Sequence, residues 1–176
     1  MKRWALGIAL AALFTCAVQA AEVNIVALGA SNTYGSGRGR TNGGVPSSQA
    51  YPAQLQRLLA AKGLSARVTN AGIPGDTTGG MLARLNSAVP NGTSIVILQP
   101  GGNDARRGEG AARQGNIAEI RQRLAARHIK VIMLGSLGQI APKSARDPDG
   151  QHFNAQGHAA FAAWLAPQVI AAARGR

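Results

Sequence analysis

Three short runs rich in Val, Ile and Leu recur along this chain, at residues 23–29 (VNIVALG), 94–98 (SIVIL) and 129–134 (IKVIML), and a fourth run of similar length, residues 66–71 (ARVTNA), falls between the first two. Each has strand length, and segments of helical spacing separate them. Residues 50–61 place Leu55, Leu58 and Leu59 on one face, with Gly63 as a stop. Residues 77–89 turn Met81, Leu82 and Leu85 inward, and residues 111–127 do so with Ile117, Ile120 and Leu124. A last helix, capped by Asn154, runs to about residue 173 and buries Phe161, Trp164 and Leu165. Alternation of this kind predicts an α/β fold, a three-layer αβα sandwich on a short parallel sheet covered on both faces. No repeat or linker divides the chain.

The first twenty residues stand apart. Lys2 and Arg3 form a basic start, and residues 4–18 form an apolar stretch too short for the roughly 20 residues that span a bilayer. Val18 and Ala20 then offer the small residues of a cleavage site. The expectation is a signal peptide over residues 1–20, cut after Ala20 or Ala21, with a domain over residues 21–176 in the periplasm or the medium. Cys16, the one cysteine of the chain, falls in the leader. A disulfide framework and a Cys-based zinc site are therefore excluded.

A formal net charge of +12 invites a nucleic-acid reading, but its distribution argues against one. Arg38 and Arg40 lie in one loop and Arg106 and Arg107 in another. Arg121, Arg123, Arg127 and Lys130 follow a helix and its exit. No block of like charge forms, and with aromatics at 4% a stacking platform is not available. Nucleic acid is not an expected partner.

In open parallel sheets ligands bind at the carboxyl ends of the strands. The first strand is followed by Gly29-Ala30-Ser31-Asn32-Thr33, the second by Ile73-Pro74-Gly75-Asp76-Thr77. Gly101-Gly102-Asn103-Asp104 follows the third, and the loop after the fourth ends in Asp149-Gly150-Gln151-His152. Taken singly each has an ordinary reading. Ser31 fits a tight turn, Asp76 a helix cap, Gly-Asn-Asp a plain turn. The serine stretch is neither G-x-S-x-G nor a phosphate-binding loop, and no early helix is expected after it. Asp149 and His152 flank a Gly, which brings a carboxylate to an imidazole and frees the far ring nitrogen as a base. Placed at one sheet edge, the four stretches supply a nucleophile, oxyanion donors and an oriented base.

With those residues in view, the chain resembles the SGNH hydrolases, also called the GDSL esterase/lipase family, over residues 23–173. Residues 70–85, with Gly-Asp-Thr and Leu-Ala-Arg-Leu, are similar to that family's periplasmic multifunctional thioesterase, lysophospholipase and arylesterase group. The resemblance implies Ser31 as nucleophile, His152 as base and acid, and Asp149 as its orienting partner. It implies an oxyanion hole from the backbone N–H groups of Ser31 and Gly75 and the amide of Asn103. Two departures stand out. Ala30 replaces the Asp of Gly-Asp-Ser, so altered turn support is expected. Only residues 136–148 separate the fourth strand from Asp149, so a fifth strand is missing or irregular.

The expected activity is a secreted serine esterase on small acyl esters or thioesters, monomeric, without cofactor, metal or membrane anchor. A carbohydrate O-deacetylase and a non-catalytic module for envelope polymers are the alternatives. Residues 35–48 hold five glycines and form a pliant lip, and with the wall opposite shortened, short acyl chains are expected. His128 is expected on the surface, and His158 within the last helix rather than as the base.

Overall fold

The computed structural model describes residues 21–36 and 43–175. Residues 1–20, expected as a signal peptide, residues 37–42 with Arg38 and Arg40, and Arg176 lie outside them. In chain order the elements are β1 (Val23–Gly29), α1 (Ser31–Tyr34), α2 (Tyr51–Ala61), β2 (Ala66–Gly72), α3 (Thr78–Ala83) and α4 (Leu85–Ala88). There follow β3 (Ile95–Gln99), α5 (Asn103–Arg106), α6 (Arg113–Ala126), β4 (Lys130–Met133), α7 (Leu137–Ile140) and α8 (Ala155–Arg174). The strands form one parallel sheet in the order β2-β1-β3-β4, with Ile25 opposite Val68 and Ile95, and Ile95 opposite Lys130.

Strand alternation divides the core into two layers. Val23, Ile25 and Ala27 of β1 and Ile95 and Ile97 of β3 face α2 and α8, meeting Leu55, Leu59, Phe161, Leu165 and Val169. Val26, Leu28, Val96 and Leu98 face the other way, onto Met81, Leu85, Ile117, Ile120 and Leu124 of α3, α4 and α6. Both central strands are thus covered on both faces, and each fully buried aliphatic contributes about 1.5–3 kcal/mol. The edge strands β2 and β4 stay partly exposed. Among the described residues no helix is long and apolar enough to cross a membrane.

Several sequence expectations change. The helix over residues 77–89 is two, α3 and α4, separated at Arg84, whose φ of −97° and ψ of 10° depart from helical dihedrals. Thr77, not Asp76, caps α3, its Oγ1 accepting from Gly80 N–H at 3.2 Å. A short early helix, α1, does follow β1. Trp164 is 40% exposed, because the buried arc of α8 runs through Gly157, Phe161, Leu165, Ala162 and Ala166 and Trp164 falls just past its edge. The segment after β4 holds α7, a 3₁₀ turn at Lys143–Ala145 and one isolated bridge between Arg146 and Phe153. Among the described residues no fifth strand is present.

Candidate active site

β1 sends one connection outward to β2, and β3 lies on its other side, so the chain switches direction between β1 and β3. Loops that diverge above such a pair leave a crevice at their carboxyl ends. Ser31 stands there as the first residue of α1, where a backbone N–H has no carbonyl one turn back to bond. Gly29 is required just before it, because a Cβ would lie 2.1 Å from Thr33 Oγ1. Support for this turn comes from a buried chain of hydrogen bonds. Gln99 Oε1 accepts from Ala30 N–H at 3.4 Å and from Thr33 Oγ1 at 3.2 Å. Thr33 Oγ1 in turn lies 3.2 Å from the Tyr51 hydroxyl, which must be its donor. Burial pushes the Tyr51 hydroxyl above the ordinary tyrosine range, against the pull of the Thr33 bond, so it keeps its proton. Ala30 itself is buried, and this relay carries the turn support expected to change there.

Asp149 and His152 meet in a loop that closes on itself. Asp147 N–H donates to His152 O and Asn154 N–H to Ala145 O, both at 2.9 Å, and Gly150 takes the turn with a φ of +71°. Within it, His152 Nδ1 lies 2.5 Å from Asp149 Oδ2. Asp149 Oδ1 accepts the backbone N–H groups of Gln151 and His152, each at 2.9 Å. Burial alone would raise the Asp149 pKa, but the His152 ring and the two N–H donors outweigh it and hold it down to about 2. An ionised acceptor of this kind fixes the Nδ1–H tautomer and leaves Nε2 as the base. Asn32 Nδ2 donates to Gln151 O at 3.1 Å, which lashes this loop to the residue after Ser31. The Ser31 hydroxyl makes no hydrogen bond with a described residue, so the nucleophile–base bond is not formed here, as is common before substrate binds.

Gly75 and Asn103 are the candidate oxyanion donors. Gly75 has a φ of +80°, a left-handed conformation that favours glycine, and its N–H has no partner among the described residues. Asn103 is buried. Its Nδ2 donates to Asp76 O at 2.7 Å and its Oδ1 accepts from Arg106 Nη2 at 2.6 Å, so the amide is fixed with one hydrogen left over.

Three supporting residues were not assigned from the sequence. Gln99 is described above. Arg84 reaches Asp76 Oδ2 at 2.8 Å and Gly29 O at 3.2 Å, joining the Gly75 loop to the serine turn. Asp104 is fully buried and accepts from Thr78 N–H at 3.0 Å and from its hydroxyl. Arg84 falls within Leu-Ala-Arg-Leu and Asp104 within Gly-Asn-Asp, but neither stretch gives their partners.

A groove of about 560 Å³ runs beside the serine turn, floored by Gln99 to Gly102 and walled by Asn32, Gln151, Phe153 and residues 135–138. Residues 135–136 also border a second hollow of about 540 Å³ beneath Trp164. His128 is exposed, with a φ of 56° at the exit of α6. His158 is buried in α8, accepting from Tyr51 N–H at Nδ1 over 3.1 Å.

Comparison with known proteins places the chain in a family. The profile of the GDSL-like Lipase/Acylhydrolase family matches residues 27–169. Esterase TesA of Pseudomonas aeruginosa is 42% identical over 94 residues, a stretch covering 52% of this chain and 47% of that protein. The match thus spans about half the length of that relative. A crystal structure of TesA superposes with a TM-score of 0.73 at 25% identity, over 85% of this chain and 99% of the other. AlinE4, an SGNH-hydrolase family esterase, does so with 0.57 at 27% identity, over 86% of this chain and 75% of its own.

Proposed function

The chain belongs to the GDSL-like Lipase/Acylhydrolase family, and on that premise we propose that it is a serine esterase acting on small acyl esters or thioesters through an acyl-enzyme. The observation that carries this reading is the Asp149–His152 pair at 2.5 Å, on a loop bonded to the residue after Ser31. Ser31 Oγ attacks the carbonyl carbon while His152 Nε2 takes the hydroxyl proton. The tetrahedral oxyanion is held by the Ser31 and Gly75 N–H groups and the Asn103 amide. Collapse breaks the bond to the leaving oxygen or sulfur, which receives that proton from His152. Water, deprotonated by His152, then releases the acid and restores Ser31.

Short acyl groups, of about two to six carbons, are the preferred substrates. An open groove buries few methylenes, and each one left in water forgoes about 0.8 kcal/mol. The enzyme is exported, residues 1–20 being removed on the way. The test is a fluorophosphonate probe followed by kcat/KM on p-nitrophenyl esters from acetate to palmitate. Covalent labelling lost in Ser31→Ala, with unchanged circular dichroism, is the expected result. Labelling that persists in Ser31→Ala would remove the mechanism. A kcat/KM maximum at about twelve carbons or more would show that acyl chains reach the hollow beneath Trp164, and would overturn the short-chain preference.

A further inference from the structure

The groove beside the serine turn is lined by two arginines from different elements, Arg113 of α6 and Arg146 of the loop after β4, and by no carboxylate. Arg113 opens α6 and touches the floor, its Nη2 donating to Pro100 O at 3.3 Å. Arg146 is held in place: its guanidinium lies 4.8 Å from the centre of the Phe153 ring and Nη1 donates to Gly150 O at 2.7 Å. On the oxyanion side Arg106 bonds Asn103, and Arg107 Nη2 comes within 3.3 Å of where a Cβ on Gly75 would stand.

All seven carboxylates of the chain are engaged or placed elsewhere. Asp76, Glu22 and Glu119 pair with Arg84, Arg67 and Arg123, and Asp149 with His152. Asp104 and Asp147 accept from Thr78 and from Gly44 N–H, and Glu109 lies over by Gly79. Among the described residues none pairs with Arg106, Arg107, Arg113 or Arg146. A concave surface walled by cations without counter-charge concentrates a positive field, and a guanidinium stacked on a ring offers its remaining donors in a fixed fork.

We propose that this groove selects esters carrying an anionic group, a carboxylate or a phosphate, with Arg113 and Arg146 as the specificity-determining residues. The inference rests on the esterase reading and deepens it. An anion laid over residues 99–102, beside Asn32 and hence next to the serine turn, would meet charge-assisted donors from both arginines.

Two matched pairs of esters test it on the full enzyme, corrected for spontaneous hydrolysis. Mono-p-nitrophenyl glutarate against p-nitrophenyl pentanoate places the charge on the acyl side. 4-Acetoxybenzoate against its methyl ester places it on the alcohol side. The readout is the charged-to-neutral ratio of kcat/KM within one enzyme, which cancels any general loss of competence. A ratio of about five or more in at least one pair is expected at low salt, shrinking in about 0.5 M NaCl. Arg146→Gln should lower that ratio, and Arg113→Glu, on α6 and outside the loop that carries His152, should lower it further. A ratio at or below one in both pairs, or one that neither variant moves, overturns the proposal. Absence of turnover on all four esters would instead remove the esterase reading, and this inference with it.

Discussion

Asn103 holds its side chain by two bonds of opposite sense, donating to Asp76 O and accepting from Arg106. Its remaining amide hydrogen is therefore aimed before substrate arrives, which is the condition under which an oxyanion donor is most effective. Asn103→Ala should lower kcat by about 10²–10³ with little change in KM, checked by steady-state kinetics on p-nitrophenyl acetate. At this scale the sequence carried residue types well and partners poorly. Ser31, Gly75, Asn103, Asp149 and His152 each follow a strand end, so topology alone gathers them at one edge. Gln99, by contrast, reads as an ordinary last residue of a strand. Its contact with Ala30 and Thr33 links positions nearly seventy apart, and no local pattern encodes it. Arg84 was equally hidden, since its two partners lie in different loops.

Among the elements, α8 shows what local pattern can and cannot settle. Asn154 caps it as the sequence suggests, Oδ1 accepting from Gln156 N–H at 3.0 Å and Gly157 N–H at 3.2 Å. Asn154→Ala should cost about 1 kcal/mol, a fall in Tm of about 2–4 °C by calorimetry. Trp164 is apolar and at helical spacing, yet it lies just past the edge of the buried arc of α8 and stays 40% exposed. The break at Arg84 escaped notice because nothing in the sequence there is Pro, and the side chain is drawn off by Asp76.

The same helix carries a pH response. Burial, and then repulsion from His152, lowers the His158 pKa to about 4 from an ordinary 6.5. Below 6.5 the unfolded chain takes up a proton that the folded chain refuses until about 4. Stability must therefore fall as pH drops through that interval. Asp149 acts lower, its contribution being full above 3.8 and lost as pH falls toward 2. Urea midpoints measured between pH 7 and 4.5 should decline in the wild type and flatten in His158→Gln.

For the molecule as a whole, β3 is the shared wall of both cores. Ile95 and Ile97 belong to one and Val96 and Leu98 to the other. Neither layer can loosen alone without exposing the back of the other. Leu98→Ala should destabilise the whole domain by about 2–5 kcal/mol, with esterase loss and far-ultraviolet dichroism following one urea transition. Two separate transitions would show that the layers unfold independently. The architecture at this scale was legible in the sequence because alternating runs of strand and helix length leave few topologies. Strand order was not, since it depends on which side each crossover takes. The large positive charge was legible as a number but not as a location. That four arginines near the groove lack carboxylate partners emerges only when the acids are placed.

The loop over residues 145–154 bonds its own two arms, encloses Asp149 and His152, and is fastened to the serine turn through Asn32. Carboxylate and imidazole are thus carried on one closed turn. Of the two separations the proposed relay must control, one is set by a turn of four residues. The other is the gap between His152 and Ser31, so substrate that closes it has one distance to set rather than two.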